Sequence, residues 1–179
     1  MITNSNEDVF EWLPEHESRG ASDLDVPWRL LIADDDVDVH AATRFALRNL
    51  KFKGRPVAFV DAYSGVETLE ILQNQTDIAL VLLDVVMESP NAGLLVAQTI
   101  RQQYWNCPLR VILRTGQAGL YRDYDVAQKY EVDGILTKGD LTTNKLIVTV
   151  ICALRNYVQL AEARRCSCNR DTQISTSIS

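Results

Sequence analysis

Four polar positions in the sequence combine the side chains needed to move a phosphoryl group onto a carboxylate. They are the acidic run Asp34–Asp36, Asp84, Thr115 and Lys138. A carboxylate can act as the nucleophile and form an acyl phosphate. Neighbouring carboxylates repel one another, and a hard cation such as Mg²⁺ relieves that repulsion while it neutralises the incoming phosphate. A hydroxyl can donate to one phosphoryl oxygen, and an ammonium can pair with another.

Each of these positions closely follows a short apolar run that predicts a buried parallel strand. The five predicted strands are residues 29–33, 57–60, 78–83, 109–113 and 132–137. Helical spacing of apolar residues predicts helices over 39–50, 64–72, 94–104, 118–130 and 141–160. Strands that alternate with helices favour an α/β fold in three layers, with a parallel sheet covered on both faces. Because the carboxyl ends of parallel strands lie at one edge, we expect the polar residues to meet in one cleft.

The rest of the chain sets limits on its organisation and partners. Residues 1–27 predict a flexible acidic leader, residues 28–162 a folded domain, and residues 163–179 a disordered polar tail. The net charge of -6 argues against nucleic-acid binding, because a polyanion requires a clustered positive field. No uninterrupted apolar run approaches the roughly 20 residues that cross a bilayer. The acidic N-terminus lacks the layout of a signal peptide, so we expect a cytoplasmic protein without a membrane partner.

The ordered set of motifs resembles the receiver domain of two-component response regulators. The resemblance covers residues 28–160 and rests on LLIADDD, LVLLDVVME, VILRTG and GILTK, which carry the four polar strand ends. It implies a flavodoxin-like, doubly wound sheet of five parallel strands in the order 2-1-3-4-5, with five helices. It also implies that the domain is not an enzyme, beyond taking a phosphoryl group from a donor and slowly releasing it.

The resemblance also assigns roles to the acidic residues. Asp84 would be the phosphoacceptor, and Asp34 and Asp35 would form the acidic pair. The cofactor would be Mg²⁺. Its ligands would be Asp35, Asp84 and the backbone carbonyl of Val86, with Asp34 acting through a water molecule.

Thr115 would be the switch hydroxyl and Lys138 the phosphate-binding lysine, but two nearby positions depart from the family pattern. Receivers often place an aromatic switch residue three positions before the lysine, where this chain has Ile135. Proline commonly follows the lysine, where this chain has Gly139, so we expect glycine's conformational freedom to shape that turn. Either Tyr130 or Tyr124 would take the place of the aromatic switch side chain, and the sequence does not decide between them.

A receiver implies partners as well. The phosphoryl group would come from a sensor histidine kinase or a phosphotransfer protein. The signal would pass to a downstream output domain or protein, or to a homodimer formed by the face of the fourth helix, fifth strand and fifth helix. The segments DDDVDVHAATRFALRNLKFKGRP and ILRTGQ further resemble a receiver subgroup that precedes cyclic-di-GMP output modules.

Three other interpretations are open at this point. A haloacid-dehalogenase-like phosphatase would use Asp34 and Asp36, although only Asp140 follows the lysine where a second acidic pair is expected. A receiver that binds partners without phosphorylation would not need the complete set of acids, hydroxyl and lysine. The chain could also be the N-terminal regulatory part of a larger cyclic-di-GMP enzyme. His40, in the first turn of the first helix, is interpreted as a structural or surface residue rather than a phosphodonor.

Overall fold

The computed structural model describes residues 26–103, 108–116 and 123–176, so most of the predicted leader lies outside the described residues. The strands are β1 (Trp28–Ala33), β2 (Lys51–Phe52), β3 (Arg55–Ala62), β4 (Ile78–Asp84), β5 (Arg110–Thr115) and β6 (Gly134–Thr137). The helices are α1 (Val37–Leu47), α2 (Gly65–Asn74), α3 (Ala92–Gln103), α4 (Asp123–Tyr130) and α5 (Thr143–Thr176). A short 3₁₀ helix covers Lys138–Asp140 between β6 and α5.

The sheet has the order β2-β3-β1-β4-β5-β6. All neighbouring strands are parallel except β2 and β3, so the five long strands have the predicted doubly wound order and the α/β class is confirmed. The additional strand β2 pairs with β3 through a tight turn at Lys53 and Gly54, which both have positive φ. A strand of two residues leaves no periodic pattern, which is why the sequence did not predict it.

Two apolar clusters cover the two faces of the sheet. Side chains alternate between the faces along each strand, so neighbours in sequence belong to different clusters. Leu83 packs with residues of α2, α3 and α4, whereas Leu82 packs with residues of α1 and α5. All seven residues of the central strand β4 are buried, which explains its unbroken apolar run. The same alternation decides on which face each side chain at a strand end lies.

The helix α5 continues past residue 162, where the sequence predicted a disordered polar tail. Residues 161–165, AEARR, contain good helix formers and neither glycine nor proline, so the backbone has no reason to leave the helix there. By length and composition alone, Thr143–Arg165 could cross a membrane. The structure gives its apolar residues another role, because Leu146, Val150 and Leu154 are buried against the sheet.

Candidate functional site

Three carboxylates meet at the carboxyl edge of the sheet. Asp34 follows β1 and Asp84 closes the adjacent strand β4. Asp34, Asp35 and Asp84 each place a carboxylate oxygen within 4.8 Å of the others. Asp34 and Asp84 are 0% and 3% exposed, whereas Asp35 is exposed to solvent. A set of oxygen ligands with one solvent-facing member fits a hard divalent cation such as Mg²⁺, which keeps several water ligands.

Lys138 supplies a positive charge to this cluster. It follows β6, and its Nζ lies 3.1 Å from Asp34 Oδ2 and 3.1 Å from Asp84 Oδ2. Burial raises the pKa of the Asp84 carboxyl, and the negative charge of Asp34 adds to that shift. Lys138 opposes the shift through its hydrogen bond and its charge, but the pKa of Asp84 remains above its ordinary value. An ionised Asp84 is therefore costly in this arrangement, and a bound cation would lower that cost.

Asp36 is the N-cap residue of α1. Its side chain accepts a hydrogen bond from the backbone N–H of Asp38 (2.9 Å) and so caps the helix. The backbone N–H of Asp36 in turn donates to Asp34 Oδ1 (3.1 Å), which fixes the acidic loop. A haloacid-dehalogenase-like phosphatase would need Asp36 as the working partner of Asp34. This geometry does not support that interpretation.

The backbone that follows Asp84 is held by a close approach of α3. The N–H of Gly93 donates to the carbonyl of Val85 (3.1 Å), and the N–H of Val85 donates to the carbonyl of Arg114 (2.9 Å). A Cβ atom at position 93 would lie 1.9 Å from the carbonyl oxygen of Asp84, so only glycine fits there. This contact fixes the path of the chain into Val86, whose side chain is exposed and whose carbonyl was the predicted third ligand.

Thr115 closes β5 and lies in register with Thr137 of β6, next to the strand that carries Asp84. The structure therefore brings the predicted hydroxyl to the same edge as the acids and Lys138. The turn after Lys138 differs from the expectation. Gly139 lies in the 3₁₀ helix without a positive φ, and no peptide bond among the described residues is cis. The special freedom of glycine is thus not used at this turn.

The position of the missing aromatic switch is occupied by a packed aliphatic residue. Ile135 in β6 is partly buried against the cluster formed with α2, α3 and α4. Tyr130, at the end of α4, packs against the same cluster, so one of the two predicted replacements lies on the relevant face. The side chain of Tyr124 lies outside the described residues.

His40 is buried and belongs to a network of hydrogen bonds beside the acidic loop. Its Nδ1 lies 2.7 Å from Asp61 Oδ1, its Nε2 lies 2.8 Å from the carbonyl oxygen of Asp34, and its ring stacks on Tyr63. Arg44 pairs with the other oxygen of Asp61. Burial acts to raise the pKa of Asp61, but the hydrogen bonds and charges of His40 and Arg44 lower it overall. The structural role of His40 is confirmed.

Sequence reasoning missed two charged residues near the site. Asp61 was not singled out, because its partners are 17 and 21 residues away and leave no local pattern. Arg114 was read as the polar end of a strand, yet it is 5% exposed and lies beside Asp84 in the sheet register. The alternation of faces along β5 was the available signal, since it places Arg114 on the same face as the buried Ile112.

Comparison with known proteins agrees with this geometry. A family model for the response regulator receiver domain matches residues 30–151. The 3'3'-cGAMP-specific phosphodiesterase 2 of Vibrio cholerae serotype O1 (strain ATCC 39315 / El Tor Inaba N16961) is 42% identical over 134 residues. The match covers 75% of this chain and 26% of that protein, so the chain spans about a quarter of the length of this relative.

Solved receiver domains have the same fold. The signal receiver domain of an HD domain-containing protein from Pseudomonas fluorescens Pf-5 matches with a TM-score of 0.63 and 19% identity, over 75% of this chain and 99% of that one. A CheY-like response regulator receiver domain protein from Methanospirillum hungatei JF-1 matches with a TM-score of 0.60 and 20% identity, over 75% and 98%. These likenesses show the fold, and the family match covers more than half of the sequence. The chain therefore belongs to the response regulator receiver domain family, as its motifs predicted.

Proposed function

We propose that Asp84 accepts a phosphoryl group and that the domain acts as a phosphorylation switch in two-component signalling. The observation that carries this proposal is the setting of the Asp84 carboxylate. It lies 3.1 Å from the ammonium of Lys138 and within 4.8 Å of carboxylate oxygens of Asp34 and Asp35. Membership of the receiver family supports the same conclusion.

The chemistry follows from these side chains. One oxygen of Asp84 attacks the phosphorus of the donor, the bond from phosphorus to the donor breaks, and the donor leaves with the electron pair. Lys138 then pairs with one phosphoryl oxygen, and the hydroxyl of Thr115 donates to another. Bound Mg²⁺ would neutralise further charge on the transferring group. Its ligands would be Asp35, Asp84 and the carbonyl of Val86, with Asp34 acting through water.

The surface around Asp84 supports a protein as the phosphodonor. Large apolar side chains are exposed on segments that directly follow the carboxyl ends of β1, β3 and β4. They are Val37, Tyr63, Val66 and Val86. A cluster of exposed apolar side chains around a polar centre is typical of a protein interaction site. A sensor histidine kinase or a phosphotransfer protein would dock there and present its phosphohistidine to Asp84.

The output of the switch is also part of the proposal. Phosphorylation would draw Thr115 toward Asp84 and repack the face of α4, β6 and α5, which would bind an output partner or a second copy of the chain. The identity with a 3'3'-cGAMP-specific phosphodiesterase favours an output of the cyclic-dinucleotide phosphodiesterase class. The receiver would then be the cytoplasmic regulatory part of such an enzyme, and the hydrolysis would belong to the output domain.

Phosphoryl uptake is measured directly by intact mass. The full chain is incubated with Mg²⁺ and acetyl phosphate, and the wild type is expected to gain one phosphoryl group. Asp84→Asn removes the nucleophile and is expected to abolish the gain. Asp36→Asn is the matched control, because Asp36 caps α1 and lies outside the group of three carboxylates.

Two results would contradict the proposal. One is a wild-type chain that gains no mass, which would favour a receiver that only binds partners. The other is a gain in mass that survives in Asp84→Asn, which would place the acceptor elsewhere. Continuous release of phosphate from many phosphomonoesters would instead identify a phosphatase.

A further inference from the structure

Arg114 is a buried cation on the same face of the sheet as the acids. In the register of the strands, Ala33 lies beside Leu83 and Asp84 beside Arg114, so Asp34, Asp84 and Arg114 occupy one row across β1, β4 and β5. Leu30, Leu82 and Ile112, which precede the three members of the row by four, two and two residues, pack with α1 and α5. Because side chains two residues apart share a face, all three members of the row lie on the α1 and α5 face.

The guanidinium is fixed and has little contact with solvent. Arg114 is 5% exposed, and its Nη1 donates a 2.9 Å hydrogen bond to the hydroxyl of Thr43 in α1, which is itself buried. Its Nε is buried and has no hydrogen-bond acceptor among the described residues. A guanidinium stays charged even in such surroundings, because its ordinary pKa is so high.

A buried charge is costly unless an opposite charge compensates it. Within the described part of the chain, Arg114 forms no ion pair at contact distance, and its side chain donates to the neutral hydroxyl of Thr43. The opposite charges that act on it are those of Asp34 and Asp84, which partly offset the lowering of its pKa by burial. The compensation therefore acts between charges in one row on the same face of the sheet, without a salt bridge at contact distance.

We propose that Arg114 is a fixed internal counter-charge of the acidic cluster, and that it sets how strongly the cluster attracts a divalent cation. It differs from Lys138, which reaches both carboxylates directly and would move when a phosphoryl group arrives. Arg114 is held in the row next to Asp84. Its charge there permanently weakens the mutual repulsion of the acids and also repels a metal ion. This inference rests on the proposed function of the cluster as a metal and phosphoryl site.

The direction of the effect on metal binding distinguishes a counter-charge from a merely structural residue. The Mg²⁺ affinity of the full chain is measured by isothermal titration calorimetry for the wild type, Arg114→Met, Arg114→Lys and Thr43→Val. Removing a positive charge near a dication site is expected to tighten Mg²⁺ binding several-fold in Arg114→Met. Arg114→Lys keeps the charge, and Thr43→Val loses only the hydrogen bond, so both are expected to bind Mg²⁺ like the wild type.

A second measurement does not depend on the metal. Unfolding by urea in EDTA is compared for Arg114→Met, Asp84→Asn and the double variant. If Arg114 compensates the charge of Asp84, Arg114→Met costs less stability in the Asp84→Asn background than in the wild type. Thr43→Val is expected to be additive with Asp84→Asn. Should Arg114→Met not fold, Arg114→Gln, which is neutral and polar, replaces it in both measurements.

The outcomes separate this inference from the function of the domain. Unchanged or weaker Mg²⁺ binding in the neutral variant, or additive stabilities in the double variant, would overturn the counter-charge role. Failure of the wild type to take up a phosphoryl group would overturn the proposed function. That failure would not affect the unfolding experiment in EDTA, which would still measure the coupling between Arg114 and Asp84.

Discussion

Asp61 illustrates how one carboxylate organises the surroundings of the site. It accepts hydrogen bonds from His40 and Arg44. Because His40 also contacts the carbonyl oxygen of Asp34, Asp61 supports the acidic loop indirectly, through the His40 ring. Replacement by asparagine removes the charge that both partners face. We expect Asp61→Asn to lower the free energy of unfolding at neutral pH by about 1.5–3 kcal/mol, the range for a hydrogen bond to a charged group. Urea denaturation measures this change.

The pH dependence of that difference has a definite sign. The pKa of Asp61 in the folded chain lies below its ordinary value of 3.8, so its carboxylate stabilises the fold above that pH. This stabilisation is lost as the pH falls through the lowered pKa. The difference in the free energy of unfolding between the wild type and Asp61→Asn should therefore disappear at acidic pH. A gap that stays constant from neutral pH to below that range would show that the charge of Asp61 does not matter.

At the residue scale, the sequence predicted what depends on position along a strand and missed what depends on distant pairing. The sequence singled out Asp34, Asp84 and Lys138 because each lies at or directly after the carboxyl end of a strand, and parallel strands end at one edge. Asp61 was missed because its partners come from α1, which only the folded chain brings near. Arg114 was overlooked although the alternation of faces along β5 already placed it beside the acids.

The connection between β4 and α3 depends on Gly93 at the scale of the element. A Cβ atom there would meet backbone at 1.9 Å, which a side-chain adjustment cannot relieve. We expect Gly93→Ala to destabilise the fold by about 3 kcal/mol or more and to displace the backbone on both sides of Asp84. Thermal unfolding and phosphoryl uptake both report on this change. Gly139→Ala is the control, since a Cβ atom at position 139 meets nothing within 4 Å, and equal effects of the two substitutions would contradict the argument.

The start of α2 has a capping motif built from Ser64 and Glu67. The Ser64 hydroxyl oxygen accepts a hydrogen bond from the N–H of Glu67 (3.1 Å). The carboxylate of Glu67 accepts from the N–H of Tyr63 (2.7 Å), one residue before the cap, whereas a capping box would use the N–H of the cap itself. We expect Ser64→Ala to cost about 1 kcal/mol, measured by urea denaturation. Ser64→Asp, which can still accept the hydrogen bond, should restore most of the stability. Loss of the same size in Ser64→Asp would argue against capping.

Element boundaries were predictable where a chemical signal marks them. Asp36 and Ser64 cap their helices, and both helices begin where the sequence indicated, to within a few residues. The end of α5 had no such signal, and a polar composition after residue 162 was mistaken for the end of the helix. The strand β2 is set by the turn at Lys53 and Gly54 and by pairing with β3, so its two residues acquire their conformation from tertiary contacts.

At the scale of the whole molecule, the two faces of the sheet carry different parts of the proposed site. The row of Asp34, Asp84 and Arg114 lies under α1 and α5, whereas Ile135 and Tyr130 pack on the face of α2, α3 and α4. β5 connects the two, because it carries Arg114 toward one face and Thr115, the next residue, toward the other. A shift at the end of this strand, which the proposed switch at Thr115 requires, would therefore act on both helical layers, even though no aromatic side chain occupies position 135.

The proposed switch can be tested on the outer surface of α5. Val148 is 51% exposed there, and a carboxylate at this position would oppose an apolar contact between two copies of the chain. We expect phosphorylated wild type to dimerise more strongly than the unmodified chain, and Val148→Glu to weaken that dimer about tenfold or more. Leu95→Glu is the matched control, because Leu95 is similarly exposed on α3, outside the α4, β6 and α5 face. Sedimentation equilibrium with and without acetyl phosphate gives the association constants. Equal weakening by both variants would show that this face has no special role, whereas a selective loss in Val148→Glu would place the output of Asp84 phosphorylation on α5.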